Sequence, residues 1–302
     1  MKQLLSADET AARLPYENLV AQLRELLSDA SVQVPERLIQ ALPGGGSLFV
    51  MPAHDSRTAI TKLITFTPAN AGTDRAAIQG DVVVFDVATG ERKLILDGPT
   101  VTARRTAAVS LLAAQTLAAR KDGPLLILGA GVQGRAHLDA FAQGLPLSQV
   151  FIASRGAASA QALADYARTL GLRASVVGDP NEALADCPLV VTCTPANAVV
   201  LHALPRSDAF IAAVGAFTPR MVELGPDLCR HFAAQGRIVV DTPDAVHEAG
   251  DLLQAGLDVR AFATLRDVLG NEKAARGAGP VLFKSCGWAG WDLAAARTAL
   301  LP

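Results

Sequence analysis

Apolar and polar positions follow two different rhythms along this chain. At 16–27 apolar residues recur at helical spacing, which predicts an amphipathic helix, and Ser6 with Glu9 fits a capping box for a shorter helix before it. A Pro- and Gly-containing break, LPGGGS, follows at 42–47. SLFVMP, AITKLITF, IQGDVVVFDV and RKLILD then read as strands, and Ala88-Thr89-Gly90 fits a hairpin loop. An almost wholly apolar helix is expected at 100–119. After Lys121-Asp122-Gly123-Pro124 the rhythm changes. LLIL, VFIAS, ASVV, LVVTC, FIAAV and RIVVD are short continuous apolar runs, and stretches such as SAQALADYARTL between the earlier ones have helical spacing. Strands alternating with helices imply a parallel sheet covered on both faces. The expected fold class is therefore α/β, a Rossmann-type doubly wound parallel sheet beside an α+β domain. The tail WDLAAARTALL reads as a short helix.

A phosphate-binding loop stands at the first strand of the second region. LLILGAGVQGRAHLDAF places Gly129-Ala130-Gly131-Val132-Gln133-Gly134 between an apolar strand and a helix. In this G-x-G-x-x-G pattern Gly129 permits the tight turn, Gly131 lets the backbone approach a pyrophosphate, and Gly134 lets the helix pack on the strand. The next strand ends in Ser154-Arg155, with no acid before Asp165. A hydroxyl and a guanidinium there suit a 2′-phosphate, because Arg binds phosphate through two parallel hydrogen bonds. NADPH is expected over NADH.

The apolar helix raises a charge problem. TARRTAA puts Arg104 and Arg105 near its start, where the helix dipole disfavours cations, and a bound anion would remove the contradiction. Arg105 shares a helical face with Ala108, Val109 and Leu112 and points inward, either toward an anion or into an internal salt bridge to Asp97. Arg104 lies about 100° further round and is free to face solvent. Lys62 alternates with Ile60 and Ile64 on one strand face, and Arg37 follows Pro35-Glu36.

Composition narrows the function classes. Half of the 302 residues are apolar, aromatics make up 5% and the formal net charge is -2. That argues against nucleic acid or an anionic membrane as partner. Four scattered cysteines form no C-x-x-C pair, so neither a disulfide framework nor a zinc site is expected. Asp244, His247 and Glu248 read as helix-start polarity, not metal ligation. MKQLLSADETAARL lacks the apolar core of a signal peptide, and no apolar run reaches membrane-spanning length, so a cytoplasmic protein is expected.

Taken together, PER at 35, VMPA at 50, the lysine of ITKLITFTPAN, TARRTAA, GAGVQG, VVTCTP, AVGAFTP and FKSCGWAGWDLAAA resemble the ornithine cyclodeaminase/mu-crystallin family over nearly the whole chain. The resemblance implies an NAD(P)-binding domain at 122–285 and a substrate-binding and homodimerisation domain at 1–121, to which the helix at 286–302 returns. It implies that Arg37, Lys62 and Arg105 hold a substrate carboxylate, with Lys62 as the catalytic candidate. It also implies cofactor contacts at Arg105, Thr192, Val214 and Ser285.

Two departures bear on the reaction. Where cyclodeaminases of the family carry an Asp and a Glu, this chain has Phe217 and Phe49, which leaves no obvious partner for a substrate's side-chain ammonium. LPGGG, TARRTAA, GAFTP and HEAGDLLQAG look most like bacterial reductases of Δ1-pyrroline-2-carboxylate, which make L-proline and reduce the six-membered Δ1-piperideine-2-carboxylate to L-pipecolate. The expected substrate is a small cyclic imino acid. The alternatives are ornithine cyclodeamination, an alanine dehydrogenase-like activity, and non-catalytic NADPH-dependent ligand binding.

Overall fold

The computed structural model describes residues 4–70, 73–195, 197–271, 277 and 279–301. The chain divides into two compact units, 1–105 with 288–302, and 106–287.

The first unit is built on an antiparallel sheet in which β1 (Leu38–Ala41), β2 (Ser47–His54), β3 (Thr58–Phe66), β4 (Ile78–Asp86) and β5 (Arg92–Asp97) lie in chain order. Helix α1 (Ala7–Ala12) opens with the expected reciprocal cap between Ser6 and Glu9. Helix α2 (Tyr16–Ser28) buries Leu19, Leu23 and Leu26 at helical spacing. The period-2 pattern of the strands sets two faces. On the inner one, Met51, Lys62, Val82 and Leu96 form one cross-strand row and all are buried. On the outer one, Leu38, Val50 and Leu63 stand opposite one another across β1, β2 and β3. The C-terminal helix, Ala289–Ala299, packs against α2, β2 and β3 and is buried along its whole length. Small alanines let it approach the sheet closely.

Helix α3 (Gly98–Leu117) carries the chain from the first unit into the second. The division thus falls at Arg105 and not at residue 121, because the later turns of α3 pack within the second unit. Ser110 meets His137 and Gln115 donates to the Gly144 carbonyl.

The second unit is a parallel sheet in the order β14-β13-β15-β11-β9-β6-β7-β8. The strands are β6 (Gly123–Leu128), β7 (Leu147–Ala153), β8 (Arg173–Val176), β9 (Leu189–Thr192), β11 (Phe210–Ala213), β13 (Arg237–Val240), β14 (Ala263–Thr264) and β15 (Val281–Lys284). A separate parallel pair joins β10 (Asn197–Leu201) to β12 (Val222–Leu224). Helices α4 (Val132–Gly144) and α5 (Ala157–Thr169) follow β6 and β7. Central strands such as β9, β11 and β15 are buried at every position, which is why they read as unbroken apolar runs.

Candidate active site

The glycine loop has the geometry its spacing demands. Gly129 adopts φ +111°, a conformation open to glycine, and its N–H donates to the Ala153 carbonyl at 2.8 Å. A Cβ on Gly134 would lie 1.9 Å from the Gly129 carbonyl oxygen, so only glycine lets α4 start so close to β6. A Cβ on Gly131 would meet nothing within 4 Å. Steric packing inside the protein therefore does not explain that glycine, and an open cradle at the N-terminus of α4 does. Ala130, Val132 and Gln133 complete the loop, with Val132 70% exposed at the first turn. At the end of β7, Ser154 is half-buried and Arg155 is exposed. Arg155 makes no hydrogen bond or ion pair among the described residues.

Three further cofactor candidates sit at strand ends and are buried. Thr192 ends β9 and donates its hydroxyl to Glu223 at 2.9 Å. Ser285 follows β15 and donates to Asp241 at 2.8 Å. Val214 follows β11 and is 9% exposed. The two hydroxyls are thus committed within the protein. Glu223 also accepts from the Thr194 N–H and hydroxyl and from the Gly215 N–H, tying the ends of β9 and β11 together. Burial raises its carboxyl above the ordinary range, against the pull of Lys284 and these donors. Asp251 in turn accepts from the Glu223 and Leu224 amides and pairs with Lys284 at 2.8 Å. Nothing in the spacing of the sequence marks this network, whose members come from β12, β15 and the helix Gly250–Gln254.

A cluster of cations occupies the first unit. Lys62 is held on the inner sheet face, as its alternation with Ile60 and Ile64 predicts, and is 1% exposed. Arg105 is 6% exposed. Both turn to the same carboxylate, Asp292 of the C-terminal helix. Lys62 Nζ lies 3.1 and 3.0 Å from its two oxygens, and Arg105 Nε lies 3.3 Å from Oδ1. Lys62 also donates to the Thr102 hydroxyl at 3.3 Å. Burial lowers the Lys62 ammonium to about 8, with Asp292 opposing the shift and Arg105 and Arg37 adding to it. Arg37 is half-buried before β1.

Three expectations for this region are corrected. The internal partner of Arg105 is Asp292, not Asp97, which caps α3 by accepting from the Thr100 N–H at 2.8 Å. Arg104 does not face solvent freely: it donates to the Leu14 carbonyl at 2.8 Å and lies 4.2 Å from the centre of the Tyr16 ring. The helix begins at Gly98, so both arginines lie beyond its first turn, where the dipole has faded. The argument for an anion therefore rests on burial. Two cations share one carboxylate, and Arg105 donates no hydrogen bond among the described residues, its Nε included. Leaving a buried polar group unsatisfied costs about 1–3 kcal/mol, and more for a charged one. An incoming carboxylate satisfies that demand.

Of the two phenylalanines, Phe49 is half-buried opposite Ile64 on the sheet, and Phe217 is 42% exposed in the loop after β11.

A parallel sheet with a glycine-only turn into a helix, and an unpartnered Ser-Arg pair at the next strand end, defines a dinucleotide-binding protein. The chain belongs to the ornithine cyclodeaminase/mu-crystallin family, whose model matches residues 5–299. It is 39% identical over 298 residues to Delta(1)-pyrroline-2-carboxylate reductase 2 of Burkholderia ambifaria, covering 97% of this chain and 93% of that one. It is 38% identical to the Delta(1)-pyrroline-2-carboxylate/Delta(1)-piperideine-2-carboxylate reductase of Azospirillum brasilense, covering 98% and 94%. Among solved structures, Thermococcus litoralis Delta(1)-pyrroline-2-carboxylate reductase in complex with NADH and L-proline matches with a TM-score of 0.84 at 25% identity, covering 98% and 92%.

Proposed function

We propose that this chain is an NAD(P)H-dependent ketimine reductase. It reduces Δ1-pyrroline-2-carboxylate to L-proline and Δ1-piperideine-2-carboxylate to L-pipecolate. The observation that carries this reading is Arg105, a buried guanidinium with no hydrogen-bond acceptor among the described residues, next to a Lys62–Asp292 pair. The names of the relatives supply the substrate class.

The loop Gly129 to Gly134 would hold the coenzyme's pyrophosphate through backbone N–H groups, and Arg155 with Ser154 would take a 2′-phosphate. NADPH is accordingly the preferred form. When bound, it supplies the hydride that reduces the imine carbon. Arg105, supported by Lys62 and Arg37, binds and orients the substrate carboxylate. Phe49 offers the ring an apolar wall in place of a carboxylate, which is why ornithine, with its second ammonium, is a poor ligand here. The imine nitrogen takes its proton from solvent before binding, so the protein contributes orientation and electrostatics.

The protein acts as a homodimer. The row Leu38, Val50 and Leu63 leaves apolar side chains on the outer sheet face, with Leu38 58% and Leu63 45% exposed, and a second copy would cover them. The molar mass in solution checks this. All four cysteines are free thiols, which fits the reducing cytoplasm.

Coenzyme oxidation with a panel of substrates tests the activity. The expected result is turnover with both cyclic imines and a higher kcat/KM with NADPH than with NADH. Ammonia release from ornithine, or turnover only with pyruvate plus ammonia, would overturn it.

A further inference from the structure

Asp292 has a defined place in this cluster. It lies on a helix otherwise composed of small or apolar residues in its first two turns, and its side chain is wholly buried. Both of its oxygens contact Lys62, and one of them also contacts Arg105. Every other group that acts on Lys62 works against its charge. Arg105 from α3 and Arg37 from the segment before β1 repel it, and its cross-strand neighbours Met51 and Val82 offer no solvation. Thr102 contributes a hydroxyl without charge. Asp292 is the one anion facing the lysine among the described residues.

We propose that Asp292 is a positioning residue for substrate binding. It keeps Lys62 charged and fixed beside Arg105, so that the site retains its grip on a carboxylate into mildly alkaline solution. The inference rests on the reading of Arg105 and Lys62 as the carboxylate site. Two cations against one carboxylate leave a single uncompensated positive charge, which one substrate carboxylate completes. Without Asp292, burial and the two arginines act on Lys62 unopposed, and it sheds its proton at lower pH. In the wild type the ammonium titrates at about 8.

The cyclic imine itself titrates, so a planar carboxylate whose ring nitrogen does not is the better probe. Titration calorimetry of pyrrole-2-carboxylate into the NADPH complex between pH 6 and 10, for wild type, D292N, D292S and K62M, tests the proposal. The wild type should bind with an alkaline limb in affinity. In D292N that limb should move by about one pH unit or more toward acid. K62M should show no limb. D292S, the smaller replacement, gives the same reading should D292N fail to fold. A limb that stays in place in either Asp292 variant while K62M abolishes it overturns the inference and leaves the carboxylate site standing. No binding to the wild type at any pH overturns the carboxylate site itself, and the inference with it.

Discussion

His137 carries no exposed surface and joins α3 to α4. Its Nδ1 donates to the Gln133 carbonyl at 2.8 Å, which leaves Nε2 to accept from the Ser110 hydroxyl at 2.9 Å. Burial lowers the ring's titration to about 4, only partly offset by that carbonyl, against an ordinary 6.5. Between these values the unfolded chain binds the proton and the folded one does not, so stability falls as pH drops through 6.5 toward 4. The loss expected from this one residue is roughly 3 kcal/mol. Urea unfolding of wild type and H137N across that range checks it: the variant should lack this part of the acid sensitivity. Single residues differ in how far sequence exposes them. Lys62 could be placed on the inner face because side chains alternate along a strand. Asp292 could not be paired with it, because that partnership spans 230 positions and no local rule encodes it. Arg104 was misplaced for the same reason: its acceptor is a backbone carbonyl in a distant loop, at Leu14.

Elements were more legible than contacts. The run-up to α4 showed its role in three glycines, because each answers a separate steric demand that only glycine meets. This makes the loop testable by two substitutions with different outcomes. G131A adds a methyl group to open space, so the fold and melting temperature should be unchanged while the KM for NADPH rises roughly tenfold or more. G134A puts that methyl group 1.9 Å from the Gly129 carbonyl and should destabilise the unit itself. Coenzyme titration and thermal melts of both variants separate the effects. Strand β15, by contrast, is absent from the strands the apolar pattern suggests. It occupies four residues, ends in Lys284, and lies between β13 and β11 at the centre of the sheet. A lysine in an apolar run reads as a strand's solvent end; here Asp251 and the Ala216 carbonyl satisfy it in the interior. Burial opposes its charge, but Asp251 and Glu223 outweigh that and raise its titration.

At the scale of the molecule, pattern distinguished an antiparallel half-buried sheet from a parallel fully buried one, since alternation and continuous apolar runs are different signatures. It did not place the division between the units. The apolar stretch of α3 is continuous through Arg105, so the sequence offers no break where the packing partners change. The account assigns one task to each unit: the second holds a dinucleotide, and the first holds a small acid on buried cations. Its central claim is that Arg105 is left unsatisfied by the protein because the substrate carboxylate satisfies it. The most direct measurement is the steady-state kinetics of R105M with Δ1-pyrroline-2-carboxylate, together with its melting temperature. Losing one or two charge-assisted hydrogen bonds should raise the KM for the imine roughly 10- to 100-fold, more than it affects the coenzyme, with no loss of thermal stability. An unchanged KM for the imine accompanied by a lower melting temperature would show that Arg105 serves Asp292 alone, and would contradict the account.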